Sequence, residues 1–183
     1  LDGGELRSLL PSRRPVTMRQ LRVAAAAWTD FCAPTPDALV ARASAPQEEL
    51  PFLAPALHRF CEEYPSTGDG LSRMERQLLR AVAAGASRPQ AIYRRSSQDE
   101  ECPWGDASVF LRLDGLVHAL VPALARSTTG YELTPLGRRL LAGTADWVRE
   151  SAGVDRWLGG VHLQGTAVRW RWDGARGALV AAP

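Results

Sequence analysis

Apolar positions recur at helical spacing over most of the chain and change to alternation only near its C-terminal end. Four segments follow from that pattern: 1–16, 17–65, 71–143 and 144–183. Residues 1–16 carry no period and hold Pro11 and Pro15 around Arg13 and Arg14. They read as an irregular, solvated linker. In 17–65, Thr17 and Gln20 have capping-box spacing, and Leu21, Ala25 and Trp28 then repeat on one helical face. Thr35-Pro36-Asp37 predicts a second start, with a cap, a proline at the first helical position and an acid near the dipole. Leu57, Phe60, Cys61 and Tyr64 predict a third helix that stops before Pro65.

The clearest pattern spans 71–143. Ser72 and Glu75 have capping-box spacing, Met74, Leu78, Leu79 and Val82 make an apolar face, and Gly85 stops the helix. A short helix follows Pro89. After a break at residues 101–105, Asp106 is the expected N-cap of a helix running to about His118. Its stripe is Val109, Leu113, Leu116 and Val117, and Gly115 inside it costs about 1 kcal/mol relative to alanine. The run from Val121 to Leu124, a polar turn at Ser127 to Gly130, and Tyr131-Glu132-Leu133 predict a β-hairpin. Thr134 and Pro135 open a last helix, closed by Gly143. Beyond a helix at Trp147 and Val148, the segments at 161–163, 168–172 and 178–180 predict a small antiparallel meander with a turn at Asp173-Gly174. Within it Val168, Trp170 and Trp172 share one face and are expected to be buried, with Arg169 and Arg171 solvated on the other. Asp155 and Arg156 are read as a local ion pair, and Trp157 as a packing anchor.

The fold class expected is mainly α with small β: a winged helix-turn-helix core, an N-terminal helical segment and a C-terminal antiparallel β meander. The run Gly130-Tyr131-Glu132-Leu133-Thr134-Pro135-Leu136-Gly137-Arg138-Arg139-Leu140-Leu141 resembles the second wing strand and following helix of many bacterial winged-helix regulators. A second resemblance covers nearly the whole chain. Leu71 to Arg76, Trp104-Gly105-Asp106, Leu133-Thr134-Pro135, Asp155-Arg156-Trp157-Leu158-Gly159-Gly160 and Trp170-Arg171-Trp172-Asp173 are similar to the C-terminal half of an uncharacterised bacterial family of the domain-of-unknown-function 1835 type. That family carries over no catalytic residue. It implies that an N-terminal half precedes this chain, and the start on Leu1 rather than Met agrees with a fragment.

Composition changes the weight of these signals. All 22 basic residues are Arg, Asn is absent and Ile92 is the only isoleucine, the mark of a GC-rich, actinobacterial type of genome. Arginine number is therefore poor evidence for nucleic acid, and the net charge of +2 is far from a basic protein's. Cys32, Cys61 and Cys102 have neither disulfide nor zinc spacing. With no signal peptide and no apolar run of membrane length, the expectation is a cytoplasmic protein without membrane contact.

Candidate chemistry is sparse. On the helix from Asp106, the face opposite the apolar stripe holds Ser108, Leu111, Arg112 and Gly115, and Arg112 alone has the fork for a guanine edge. Arg126, Arg138 and Arg139 are placed to serve the wing. The DNA-binding candidates are thus Ser108, Arg112, Arg126, Arg138 and Arg139. Residues 88–126 nevertheless hold five arginines and five acids, a neutral balance where phosphates need cations. Alternating Trp170 and Trp172 with Arg169 and Arg171 can in principle serve a single strand, but the reading favoured is an ordinary strand with its aromatics buried and its arginines solvated. His58, Cys61 and Glu62 share a helical turn without a fourth metal ligand, and Asp99, Glu100 and Glu101 read as a solvated acidic loop. No catalytic constellation, P-loop or dinucleotide motif is visible, and Gly159-Gly160 is too short to cradle phosphate. No cofactor and no metal are expected. The candidate partners are double-stranded DNA, a second copy of the chain, or its own N-terminal half. The functions carried forward are a DNA-binding regulator and a protein-interaction or oligomerisation module, with an enzyme completed by upstream sequence as a third.

Overall fold

The computed structural model describes residues 3–182 and is helix-rich, with small antiparallel sheets in its C-terminal half. The helices are α1 (Gly3–Leu9), α2 (Met18–Phe31), α3 (Asp37–Ala43), α4 (Leu53–Cys61), α5 (Arg73–Ala83), α6 (Pro89–Ser96), α7 (Asp106–His118), α8 (Pro135–Leu141) and α9 (Trp147–Glu150). The strands are β1 (Leu124–Arg126), β2 (Tyr131–Leu133), β3 (Val154–Leu158), β4 (Val161–Gly165), β5 (Trp170–Asp173) and β6 (Ala178–Ala181).

Both expected capping boxes form. Thr17 and Gln20 bond each other's backbone amides at the head of α2. At α5, Glu75 Oε2 accepts from the Ser72 amide at 2.7 Å and Ser72 Oγ accepts from the Glu75 amide at 3.2 Å. Each box satisfies donors that a helix start otherwise leaves bare.

Two cores result. In the first, Leu78 and Leu79 of α5, Ile92 of α6, Val109, Leu113 and Leu116 of α7, Leu124 of β1, and Leu136 and Leu140 of α8 close on one another. The β1–β2 hairpin pairs Leu124 with Leu133 and Arg126 with Tyr131. Its base is tied to α7 and α8, since the Ala123 amide donates to the Leu116 carbonyl and Thr134 Oγ1 donates to the Pro122 carbonyl at 2.8 Å. Its far strand meets the α5–α6 turn, where the Tyr131 amide donates to Ser87 O at 2.9 Å. Gly130 makes this approach possible: its φ is +134°, and a Cβ there would collide with the Ser87 backbone. The second core joins Leu39, Leu57, Cys61 and Tyr64 to Val148 and to Leu158, Val161, Leu163, Val168 and Trp172.

The segment around Ser66 links the two cores. Thr67 donates to the Trp172 carbonyl and Trp172 to the Pro65 carbonyl, each at 2.9 Å, and the Trp147 amide donates to Asp69 O at 2.7 Å.

Several expectations are corrected. Residues Gly3–Leu9 form a helix, and Leu10–Ser12 a 3-10 turn, where an irregular linker was expected; the first two residues of that segment lie outside the described ones. Nothing of α1 is buried, so packing gave it no apolar signature to read. Gly105, not Asp106, is the N-cap of α7, and Asp106 instead accepts from the Ala107 amide. Likewise Pro36 is the cap of α3. The helix of Leu57 starts at Leu53 and ends at Cys61, leaving Tyr64 buried beyond it.

The expected meander is two separate hairpins, β3–β4 and β5–β6. The strand β3 escaped because its inward position 156 is an arginine, which breaks the apolar alternation. Arg156 reaches Glu75 at 3.1 Å instead of pairing with Asp155, which bonds His162 Nε2 at 2.7 Å. Trp157 is no anchor. It is exposed and lies flat against His162, ring centroids 4.4 Å apart. Arg171 is buried rather than solvated, donating to Asp146 at 2.6 Å and to the Ser66 carbonyl at 3.1 Å.

Candidate nucleic-acid interface

The outer side of α7 and the β1–β2 hairpin carry the candidate residues. The three fully buried positions Val109, Leu113 and Leu116 turn one side of α7 into the core and leave Ser108, Leu111, Asp114, Gly115 and His118 facing solvent. Helical periodicity alone forces that division, because residues three and four apart share a face.

Of the five candidate residues, Ser108 is exposed on this face. Arg112 is half-buried at its edge, and its charge acts on Glu75 across the α5–α7 contact. Arg126 is exposed on the hairpin with its guanidinium carbon 5.9 Å from the Tyr131 ring centroid. Arg138 and Arg139 are exposed but spoken for: Arg138 donates to the Leu133 carbonyl at 2.7 Å, and Arg139 to Glu150 at 2.8 Å. The face brings Ser108 and Arg112 onto one helix, and it holds acids as well, with Asp114 at 3.0 Å from His118 Nδ1.

What stands out of this face is apolar. Leu111 is 76% exposed, and the loop after α7 presents Leu120 at 81% and Val121 at 43%. Gly115, one turn beyond Leu111, has open space where a Cβ would be. Gly115→Ala should therefore raise the unfolding free energy by up to about 1 kcal/mol, since alanine is the better helix former and meets nothing there. Urea denaturation measures this, and a destabilised variant would mean that the glycine has a steric role within the chain.

Comparisons with protein-family models, with curated proteins and with solved structures gave no match for this chain.

The side chains with the most organised polar environment lie at the end of α4, on α5 and in the loop before α7, in a network that periodicity did not disclose. Arg59 donates to Glu63 at 2.6 Å and to Glu100 at 2.8 Å, and Arg73 donates to Glu62 at 2.7 Å. Gln77 donates to the other oxygen of Glu100 at 2.7 Å. Glu100 is thus enclosed, not part of a solvated acidic loop. Burial works to raise its pKa, and its bonds to Arg59 and Gln77 more than offset that, leaving it below the usual carboxylate value. Asp69 is similar, its burial outweighed by Arg76 and Ser66. At Glu75, burial is opposed by the charges of Arg156 and Arg112 and by the Ser72 bonds, and the carboxyl is again held low.

These pairs are placed to hold elements together. Glu75–Arg156 ties α5 to β3, and Asp146–Arg171 ties the start of α9 to β5. The sequence signal was an acid within each helix start, Glu75 and Asp146, but the arginine partner lies 81 residues away in one case and 25 in the other.

The residues of the conceivable metal cluster diverge. His58 sits edge-on to Trp172 at 5.2 Å, Glu62 is held by Arg73, and burial pushes the Cys61 thiol up to about 11, far from a thiolate ligand's range. Among the described residues no helix is long and apolar enough to cross a membrane.

Proposed function

We propose that the chain is a winged-helix module of a bacterial regulatory protein that uses the outer face of α7 to associate with a second copy of itself rather than to read duplex DNA. The supporting observation is the exposed leucine of that face. In a DNA reader this helix lies in the major groove and meets phosphates and base edges with cations and amides. Here the exposed large apolar side chain of the helix is Leu111, with Leu120 and Val121 exposed on the loop that follows. Exposed apolar side chains grouped on one face mark protein contact more often than nucleic-acid contact.

The module reading rests on element order and packing. Three helices, a hairpin and a fourth helix share one core, and the hairpin lies beside the third helix. The partner reading rests on shape. Leu111 and Gly115 lie one turn apart on the same stripe, a knob and a notch. An antiparallel copy of α7 sets Leu111 of each chain against Gly115 of the other, an isologous contact that closes on itself. Gly115→Ala fills the notch, so it should weaken association while stabilising the monomer.

Duplex DNA is the second reading, favoured by the outward Ser108 and Arg126 on a helix and hairpin in that order. Fluorescence anisotropy with a labelled duplex separates the two. The proposed module leaves the anisotropy unchanged even at low salt. A DNA reader binds, with log K falling linearly in log salt, and that result would favour the second reading.

A further inference from the structure

A second surface of the same bundle carries cations arranged quite differently. Along α5, Arg73, Arg76, Gln77 and Arg80 follow one another at helical spacing and line a groove of about 500 Å³ closed on its other side by Arg95 and the loop holding Asp99. The volume lies within the range of small-molecule sites. Two of the four guanidinium groups are fixed from behind. Arg73 is held by Glu62 at 2.7 Å and Glu100 at 3.0 Å, and Arg76 grips Asp69 through two bonds of 2.8 and 2.6 Å. Each keeps a terminal nitrogen outside those bonds. Arg80 and Arg95 are exposed, and among the described residues neither side chain has a hydrogen-bond or ion-pair partner.

We infer that this groove binds a small molecule through its phosphate monoester group. The geometry selects that chemistry in three ways. Arginines from two helices line one space, and the arginine fork matches the oxygens of phosphate in paired bonds. The two outer arginines, which form no ion pair among the described residues, offer positive charge to the roughly −1.5 to −2 of a phosphate monoester at neutral pH. The two inner ones lose little freedom on binding because the carboxylates beneath already order them, which lowers the entropic cost of capture. The groove is far larger than one phosphate ion, and Gln77 and the walls of α5 and α6 remain for the rest of the molecule. Asp99 opposes the anion from the rim.

Calorimetry in phosphate-free buffer tests this, with inorganic phosphate, adenosine monophosphate and unphosphorylated adenosine as probes. At least one of the phosphates should bind at a single site, and adenosine should not. Arg80→Ala and Arg95→Ala should each weaken the phosphate probes about tenfold or more, the usual cost of a bond to a charged group. Both side chains are exposed, so the variants keep the fold, which circular dichroism verifies. Asp99→Asn should tighten binding, and Arg149→Ala, an exposed arginine outside the groove, should leave it unchanged. Absence of heat with both phosphates, binding of adenosine equal to that of its monophosphate, or equal weakening by Arg149→Ala would overturn the inference.

Discussion

Replacing Glu75 with alanine should lower the unfolding free energy by about 3–5 kcal/mol, the cost of leaving a buried charge without its counterion. Glu75 is 4% exposed and has two tasks at once. One oxygen caps α5 through the Ser72 amide at 2.7 Å, and the other takes Arg156 at 3.1 Å from β3. Arg156 already has Nε and Nη2 buried without a partner, and Arg112 adds a second positive charge nearby. Without the carboxylate, the buried Arg156 loses its counterion while the charge of the half-buried Arg112 remains. Arg156→Ala should cost less, because Glu75 then keeps Ser72 and Arg112. Urea denaturation of both variants measures the order, and a larger loss for Arg156→Ala would contradict it.

The same carboxylates set the acid limit of the fold. Glu75, Asp69 and Glu100 all have pKa values below their ordinary ones. A depressed carboxyl stabilises the folded chain fully above its unfolded pKa, about 4. That contribution fades as the pH falls through the folded value. The urea midpoint should therefore hold from neutrality down to about pH 5 and drop below it, and Glu75→Gln should flatten the drop.

The second large effect is expected at Leu113. It is 1% exposed in the middle of the α7 stripe. Leu113→Ala should lose about 2–5 kcal/mol, the transfer of the missing carbons plus the cavity they leave. Leu111→Ala, on the same helix, should change stability by no more than about 0.5 kcal/mol, as for other surface sites. Equal losses at the two positions would mean that α7 is rotated relative to the core described above.

Much of this arrangement was legible in the sequence because helices announce themselves locally. The boxes at Thr17 and Ser72, the stripe of α7 and the turn between β1 and β2 all depend on residues within a few positions of one another. What the sequence withheld depends on distant partners. Alternation marks a strand by its apolar side, so β3 disappeared once Arg156 took an inward position opposite Glu75. Arg171 was assigned to solvent on the same rule, though Asp146 and the Ser66 carbonyl hold it inside. In a chain whose cations are all arginine, buried and solvated ones look alike until the carboxylates are placed. The candidate site was half legible for the same reason. The outward face of α7 followed from its period. That Arg138 and Arg139 are engaged within the chain did not, because a backbone carbonyl and Glu150 leave no trace in the spacing.

Sedimentation velocity over a wide concentration range, on the unaltered chain and on Leu111→Glu, goes straight to the role of the α7 face. Self-association through α7 requires a reversible shift from one-chain to two-chain mass as concentration rises, and its loss when the knob becomes a charge. A species of single-chain mass at every concentration, or a dimer untouched by glutamate at 111, would contradict it.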